Sequence, residues 1–158
     1  MLISDAYREL NRALHTARKA YGTSGDQWRD QVLEMIGPGT ILDYGCGKNP
    51  LRIEGARLYD PAIKGIDSPP EPADYVICTD VLEHVEPEYI DAVIADLRRV
   101  TRKSLFLTVC TRPADKFLAD GRNAHLIQKP ASWWGEKVRK HFKIDPKNTK
   151  THFISVCT

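Results

Sequence analysis

A doubly wound α/β fold, a mostly parallel sheet between two layers of helices, is predicted by three observations. The apolar runs Asp74 to Thr79 and Ser104 to Cys110 read as strands covered on both faces. Between them, Ile90, Val93, Ile94, Leu97 and Val100 fall on one face of a helix that packs on the sheet. The short run Ile41-Leu42-Asp43-Tyr44 passes directly into Gly45-Cys46-Gly47, a strand ending in a glycine turn.

At 158 residues the chain is one domain, long enough to bury about two-thirds of its unfolded surface and to need no staples. Its parts are an N-terminal helical cap over 1–37 and a core over 40–158. A formal charge of +2 gives no general electrostatic case for nucleic acid or membrane, and the basic residues from Lys137 to Lys150 read as a solvated face. Cys46, Cys78, Cys110 and Cys157 never form a C-x-x-C pair, so neither a metal site nor a disulfide framework is expected. Buried reduced thiols in a cytoplasmic protein account for them. Met1 to Asp5 shows no signal-peptide pattern, and no apolar run approaches membrane-spanning length.

In chain order, Ile3, Tyr7, Leu10, Leu14, Ala17 and Tyr21 recur at helical spacing, predicting a helix from Ser4, its N-cap, to about Ala20. Ser24 with Gln27 forms a capping-box signature for a second helix carrying Trp28, Val32, Leu33 and Ile36, which Gly37-Pro38 ends. Thr40 to Tyr44 is the first strand and Ala56 to Tyr59 the second. From Pro61 to Ala73, five prolines or glycines and no helical period predict a loop. Pro87 opens the helix of the Ile90 face, and Glu83 is a candidate cap for it. Thr111 to Gln128 is a long polar loop, a lid or disordered. Pro130 opens a helix with Trp133 and Trp134, read as core or substrate wall rather than a cation cage. The end pairs Phe142-Lys143-Ile144 with the run from His152 to Val156 as a hairpin turning at Asp145 to Asn148.

Gly45 and Gly47 can take φ > 0 and leave no Cβ between backbone and ligand. Asp43 puts a carboxylate at the end of the strand, suited to a cationic or hydroxyl-bearing ligand. A dinucleotide fingerprint needs a third glycine where this chain has Pro50, which favours a ligand without phosphates. A plain strand-to-loop turn is the competing reading. Asp60-Pro61 ends the next strand, and a carboxylate there can accept from both hydroxyls of a ribose, or simply start a turn.

These features together resemble the class I S-adenosylmethionine-dependent methyltransferases from about Thr40 to the C-terminus. Asp43-Tyr44-Gly45-Cys46-Gly47 is similar to the family's D-x-G-x-G cofactor loop. Asp80-Val81-Leu82-Glu83-His84-Val85 is similar to a segment found in many members that act on small molecules. The resemblance implies a Rossmann-like, three-layer αβα domain with an antiparallel C-terminal strand and S-adenosyl-L-methionine as cofactor. The cofactor would be bound by Asp43, Gly45, Cys46, Gly47, Asp60 and Pro61, with Asp67 at the adenine, Thr79 at the methionyl end and Tyr21 in an N-terminal lid. Only thirteen residues separate Asp60 from Asp74, where the family fits a helix, a strand and another helix, so the third strand must be shortened or missing. Leu51 to Gly55 is also too short for the usual helix after the glycine loop, which leaves that face to the N-terminal helices.

Methyl transfer from a sulfonium is an in-line displacement in which positioning can supply roughly 7 to 11 kcal/mol. A hydroxyl or amine acceptor must also lose a proton, for which His84 and His125 are the candidate bases. The expected acceptor is a small molecule or a protein side chain. Neither an N/D-P-P-Y/F tetrapeptide nor a Pro-Cys nucleophile is present, which argues against a nucleic-acid substrate, although an RNA acceptor stays open. A non-catalytic module that binds the cofactor or a partner is the alternative, and a dehydrogenase comes third.

Overall fold

The computed structural model describes residues 1–17 and 21–158. Helix α1 (Asp5–Ala17) and a short 3-10 turn (Ser24–Trp28) followed by α2 (Arg29–Met35) precede the sheet. Then come β1 (Ile41–Tyr44), β2 (Arg57–Tyr59), β3 (Ala73–Thr79), α3 (Ile90–Val100), β4 (Thr101–Cys110), α4 (Ala131–Arg139), β5 (Ile144–Pro146) and β6 (His152–Cys157). The sheet order is β2-β1-β3-β4-β6-β5. The first four strands run parallel, and β6 returns antiparallel to β4 with β5 beside it.

Alternation along the strands divides the core in two. Leu42, Val76, Cys78, Leu105 and Leu107 face α3 and α4. Ile77, Phe106 and Ile154 face Trp28 and Val32 on the other side. This is the three-layer arrangement that the apolar runs imply. Leu51, almost fully buried, joins Trp28 and Val32, so the 3-10 turn and α2 cover the face that lacks a helix after β1.

The predicted gap is real. Residues 61–72 form turns and no strand, which makes β2 the sheet edge. The loop blunts that edge: the Asp60 amide donates to the Ile66 carbonyl, and Arg57 binds the carbonyls of Glu71 and Pro72.

Several local expectations change. Ser4 does cap α1, through its hydroxyl and the Tyr7 amide, but residues 18–20 of the expected helix lie outside the described residues. Gln27 donates to the Ser24 carbonyl, and no side chain caps the 3-10 turn, so no capping box forms. Pro87 sits in a turn before α3, whose N-cap is Tyr89, and Glu83 accepts the Cys110 amide instead of capping it. Asp145 and Pro146 belong to β5 and not to the hairpin turn. Trp134 is fully buried, and Lys137 stacks on Trp133, so both indoles belong to the core layer.

The loop from Thr111 to Gln128 is neither disordered nor free. Leu118 and Ala124 pack on Ile3, Tyr7 and Leu14, and the Asn123 side chain bonds Ala114 through both its amide nitrogen and its oxygen. Helix α1 is thereby bound to the loop that follows β4.

Leu97, buried where α3 meets the sheet, sets a scale for the core. Leu97→Ala should cost about 2–5 kcal/mol in urea unfolding, whereas Leu33→Ala, at an exposed position, should change it by less than about 0.5 kcal/mol.

Candidate functional site

The carboxyl ends of β1, β2, β3 and β4 all point the same way, and a cavity of about 290 Å³ opens there. Its floor is the turn after β1. Gly45 and Gly47 have φ of +73° and +52°, a conformation that a side chain strains. What occupies the missing Cβ positions is the protein itself. A Cβ on Gly45 would lie 2.5 Å from a Val81 methyl, and one on Gly47 would lie 2.7 Å from the Gly22 carbonyl oxygen. The expectation of wholly bare backbone is therefore corrected: both glycines line the cavity, but their first purpose is to admit Val81 and Gly22.

The turn also has no spare donors. The amides of Gly45 and Cys46 donate to the Tyr59 carbonyl, and that of Gly47 to Asp60 Oδ2 at 3.1 Å. Those of Lys48 and Asn49 go to the carbonyls of Gly22 and Cys46. A phosphate-binding turn works by aiming free amides at the anion, and here all five are taken.

Asp60, at the tip of β2, accepts from Gly47 and Ala62 with its two oxygens. Burial raises its pKa, while those amides and His15 hold the rise back. A carboxylate has about four acceptor sites, so Asp60 retains capacity toward the cavity that it lines with Pro61. His15, also in the wall, has its pKa lowered by burial, and its Nδ1 has no partner among the described residues.

Asp43 lies deeper. It borders a separate space of about 30 Å³ with Cys46 and Thr79, behind Gly22, Ser24 and Gly25, and does not line the main cavity. Burial, with Asp60 nearby, pushes its pKa up to about 7. Asp67 is not in the site: its carboxylate pairs with Arg12 at 3.2 Å and accepts the Gly65 amide. Tyr21 does roof the cavity, its hydroxyl donating to Asn11 at 2.7 Å.

Beside Tyr21, the wall holds both predicted histidines, whose rings meet edge to face at 4.7 Å. His84 Nδ1 lies 2.8 Å from the Ala124 carbonyl, and His125 Nδ1 lies 2.6 Å from that of Arg112. A carbonyl can only accept, so each Nδ1 carries the proton and each Nε2 the lone pair. Burial, reinforced by His125, drives the His84 pKa down to about 3. His125 is lowered as well by burial, but the Arg112 carbonyl opposes this.

Four cavity residues escape sequence reasoning. Asp80 follows β3 with φ of +54°, a strained conformation held by bonds from Trp28, Gln27 and Thr108. Glu83 is fully buried, and its pKa is raised well above the carboxylate range by burial and then by Asp80. Cys110 and His152 are partners across β4 and β6. Burial pushes the Cys110 thiol up, but the interactions with His152 and Arg112 together outweigh this and leave it below its usual range. The hydrogen bond with Cys110 raises the His152 pKa. Asp80 and Glu83 share one segment, but no spacing rule links them to Cys110 and His152, which strand pairing brings to the same cavity.

No protein-family model and no curated protein matches the sequence. Solved structures do match its fold. The 1,6-didemethyltoxoflavin-N1-methyltransferase of Burkholderia thailandensis, solved with 1,6-didemethyltoxoflavin and S-adenosylhomocysteine, has a TM-score of 0.68 at 14% identity over 96% of this chain and 88% of its own. The DhpI complex with S-adenosylhomocysteine reaches 0.65 at 13% identity, covering 98% of both chains. The Escherichia coli rRNA methylase reaches 0.59 at 16% identity over 99% of this chain and 77% of its own. At these identities the likeness is one of fold.

Two substitutions test this geometry. Gly47→Ala should destabilise the chain by at least about 1–2 kcal/mol, the cost of a Cβ in the left-handed region, because the Gly22 backbone cannot step aside. For Asp43, folding raises the pKa from 3.8 to about 7. The folded chain therefore holds the proton more tightly, and stability is lost as pH rises through that window, reaching roughly 4 kcal/mol by pH 8. Asp43→Asn should be more stable than the parent at pH 8, with an advantage that shrinks toward pH 5 in paired denaturant titrations. An equal difference at both pH values would remove the buried charge from the account.

Proposed function

We propose that this chain, which has the class I S-adenosylmethionine-dependent methyltransferase fold, binds S-adenosyl-L-methionine in the cavity and transfers its methyl group to a small molecule. The observation that carries this reading is the glycine turn, whose amides from Gly45 to Asn49 are all engaged internally while the Asp60 carboxylate stands beside it in the wall. Such a floor offers nothing to a pyrophosphate and suits a phosphate-free nucleoside with hydroxyls and positive charge. Asp60, Asp80, Glu86 and Asp115 outnumber Arg112 and Lys116 in the lining, a balance that agrees with a cationic ligand. The cofactor supplies an activated methyl group on a sulfonium.

The chain's own residues then bind, orient and enclose. Asp60 accepts from ribose hydroxyls with the capacity that its two amide partners leave. Gly45 and Gly47 line the cavity beside it, and Tyr21 and Gly22 form the wall above the turn. His84, a base too weak to hold a proton near neutral pH, positions the loop after β4 by its bond to Ala124. His125 holds its proton on Nδ1 and keeps an Nε2 lone pair in the cavity wall. Because α1 and residues 111–128 wall this part of the cavity, a small molecule fits it better than a base within a folded RNA.

Calorimetry with S-adenosylmethionine and S-adenosylhomocysteine tests the reading. Both should bind at one site per chain, NAD and ATP should give no heat, and Asp60→Asn should weaken binding at least tenfold. Absence of binding by either sulfur nucleoside, or an Asp60→Asn affinity equal to the parent's, overturns it.

A further inference from the structure

We propose that Glu83, Cys110 and His125 form a site for one divalent transition-metal ion, of the class that includes Zn²⁺, in the wall of the cavity. Each contributes one ligand atom, and the three atoms lie within 4.8 Å of one another. All three residues line the cavity.

The second observation is Glu83 itself. Its side chain is fully buried, Oε1 accepts the Cys110 amide at 2.8 Å, and Oε2 has no hydrogen-bond partner among the described residues. A buried carboxyl oxygen without a partner is unfavourable, and a cation between it, the thiol and the imidazole removes that deficit. The simple alternative is a protonated Glu83 bonded to the histidine, and no such bond is present.

The ligands are held independently. Glu83 belongs to the 3-10 turn Leu82–His84, whose carbonyl at residue 83 accepts the Ile127 amide. Cys110 is the last residue of β4, paired with His152. The His125 amide is held by Asn123, and its Nδ1–H by the Arg112 carbonyl, which leaves Nε2 to bind. A carbonyl or carboxylate on the far nitrogen of a ligating histidine is the usual outer support of a metal site.

Thiolate, imidazole and carboxylate together select a borderline-soft ion over Mg²⁺ or Ca²⁺. Three protein ligands also leave the fourth tetrahedral position open, the pattern of catalytic rather than structural zinc. With bonds of about 2.0–2.3 Å, ligand atoms stand roughly 3.3–3.8 Å apart, so the side chains close by roughly 1 Å on the ion. The open position faces the cavity, where the ion can take an oxygen or nitrogen of the acceptor and favour its deprotonated form. That last role rests on the methyl-transfer reading, while the site itself does not.

Co²⁺ titration of the full chain, followed by absorption, tests the site. One equivalent should bind with a thiolate-to-cobalt band in the near ultraviolet, and Zn²⁺ should displace it. Cys110→Ser should abolish the band, and His125→Ala and Glu83→Gln should each weaken Co²⁺ binding at least tenfold. His141→Ala, at an exposed position, should leave it unchanged. Thermal unfolding of each variant identifies any that fails to fold, and Cys110→Ser and His125→Ala carry the test if Glu83→Gln does. Absence of the band in the parent chain, or its persistence in Cys110→Ser, overturns the site. Calorimetry with S-adenosylhomocysteine on the same samples reads cofactor binding separately, so cation binding without nucleoside binding retires the methyltransferase reading and keeps the metal.

Discussion

The closure of the turn after β1 onto the end of β2 is the constraint on which the rest of the molecule depends. The Tyr59 carbonyl takes two amides, the Asp60 carboxylate takes a third, and the Gly22 carbonyl takes a fourth from above. Three segments far apart in sequence are thereby fixed at one point. Because the register of β1 against β2 places Tyr44 beside Tyr59, the residue after each strand falls at the cavity rim. Asp60 is in the wall for that reason, and the turn needs glycine at 45 and 47 because Val81 and Gly22 occupy the space of a side chain.

The fold was legible because its signals are local or periodic. Uninterrupted apolar runs marked β3 and β4, helical spacing marked α1 and α3, and chain length alone between Asp60 and Asp74 ruled out a full third strand. The site was legible only where chemistry sits at a strand tip. Gly45, Gly47 and Asp60 follow their strands directly, so sequence order gave their position. Asp43 was placed at the correct tip, yet strand geometry sets its side chain behind residues 22–25, which no spacing records. Asp67 does not line the cavity, because the shortened loop brings its carboxylate to Arg12 of α1, 55 residues away in sequence. Glu83, Cys110, His125 and His152 meet through the β4–β6 pairing and the return of residues 111–128, both invisible to a motif.

Economy of length has a further effect. With no helix between β1 and β2 and no strand between β2 and β3, covering the sheet and completing the cavity fall to the N-terminal residues. Glu86 binds the amide and hydroxyl of Ser4, and the Tyr7 hydroxyl donates to the His84 carbonyl. The first helix is thus tied to the segment that carries Glu83 and His84. Tyr21 and Gly22, where the chain re-enters the described structure, close the other side. In this protein the elements that stabilise the fold are the same ones that roof the site.

That sharing explains where the molecule tolerates unfavourable interactions. Asp43 and Asp60 are buried with raised pKa values, Glu83 Oε2 has no partner, and Asp80 holds a left-handed backbone. Each carries a cost of its own: burial of a charge at Asp43 and Asp60, an unpaired oxygen at Glu83 and a left-handed backbone at Asp80, even though Asp60 and Glu83 also accept amides that the fold needs paired. All lie around the two adjoining spaces at the carboxyl ends of the strands, while the α3–α4 face is packed with apolar contacts and holds one comparable cost among the described residues, the unpaired Trp134 indole N–H. A cluster of costly acidic groups confined to one cavity is the pattern expected where binding, not folding, sets the residue. Arg112 and Lys116 face Asp60, Asp80, Glu86 and Asp115 in the same lining, so a bound cation would offset part of the cost.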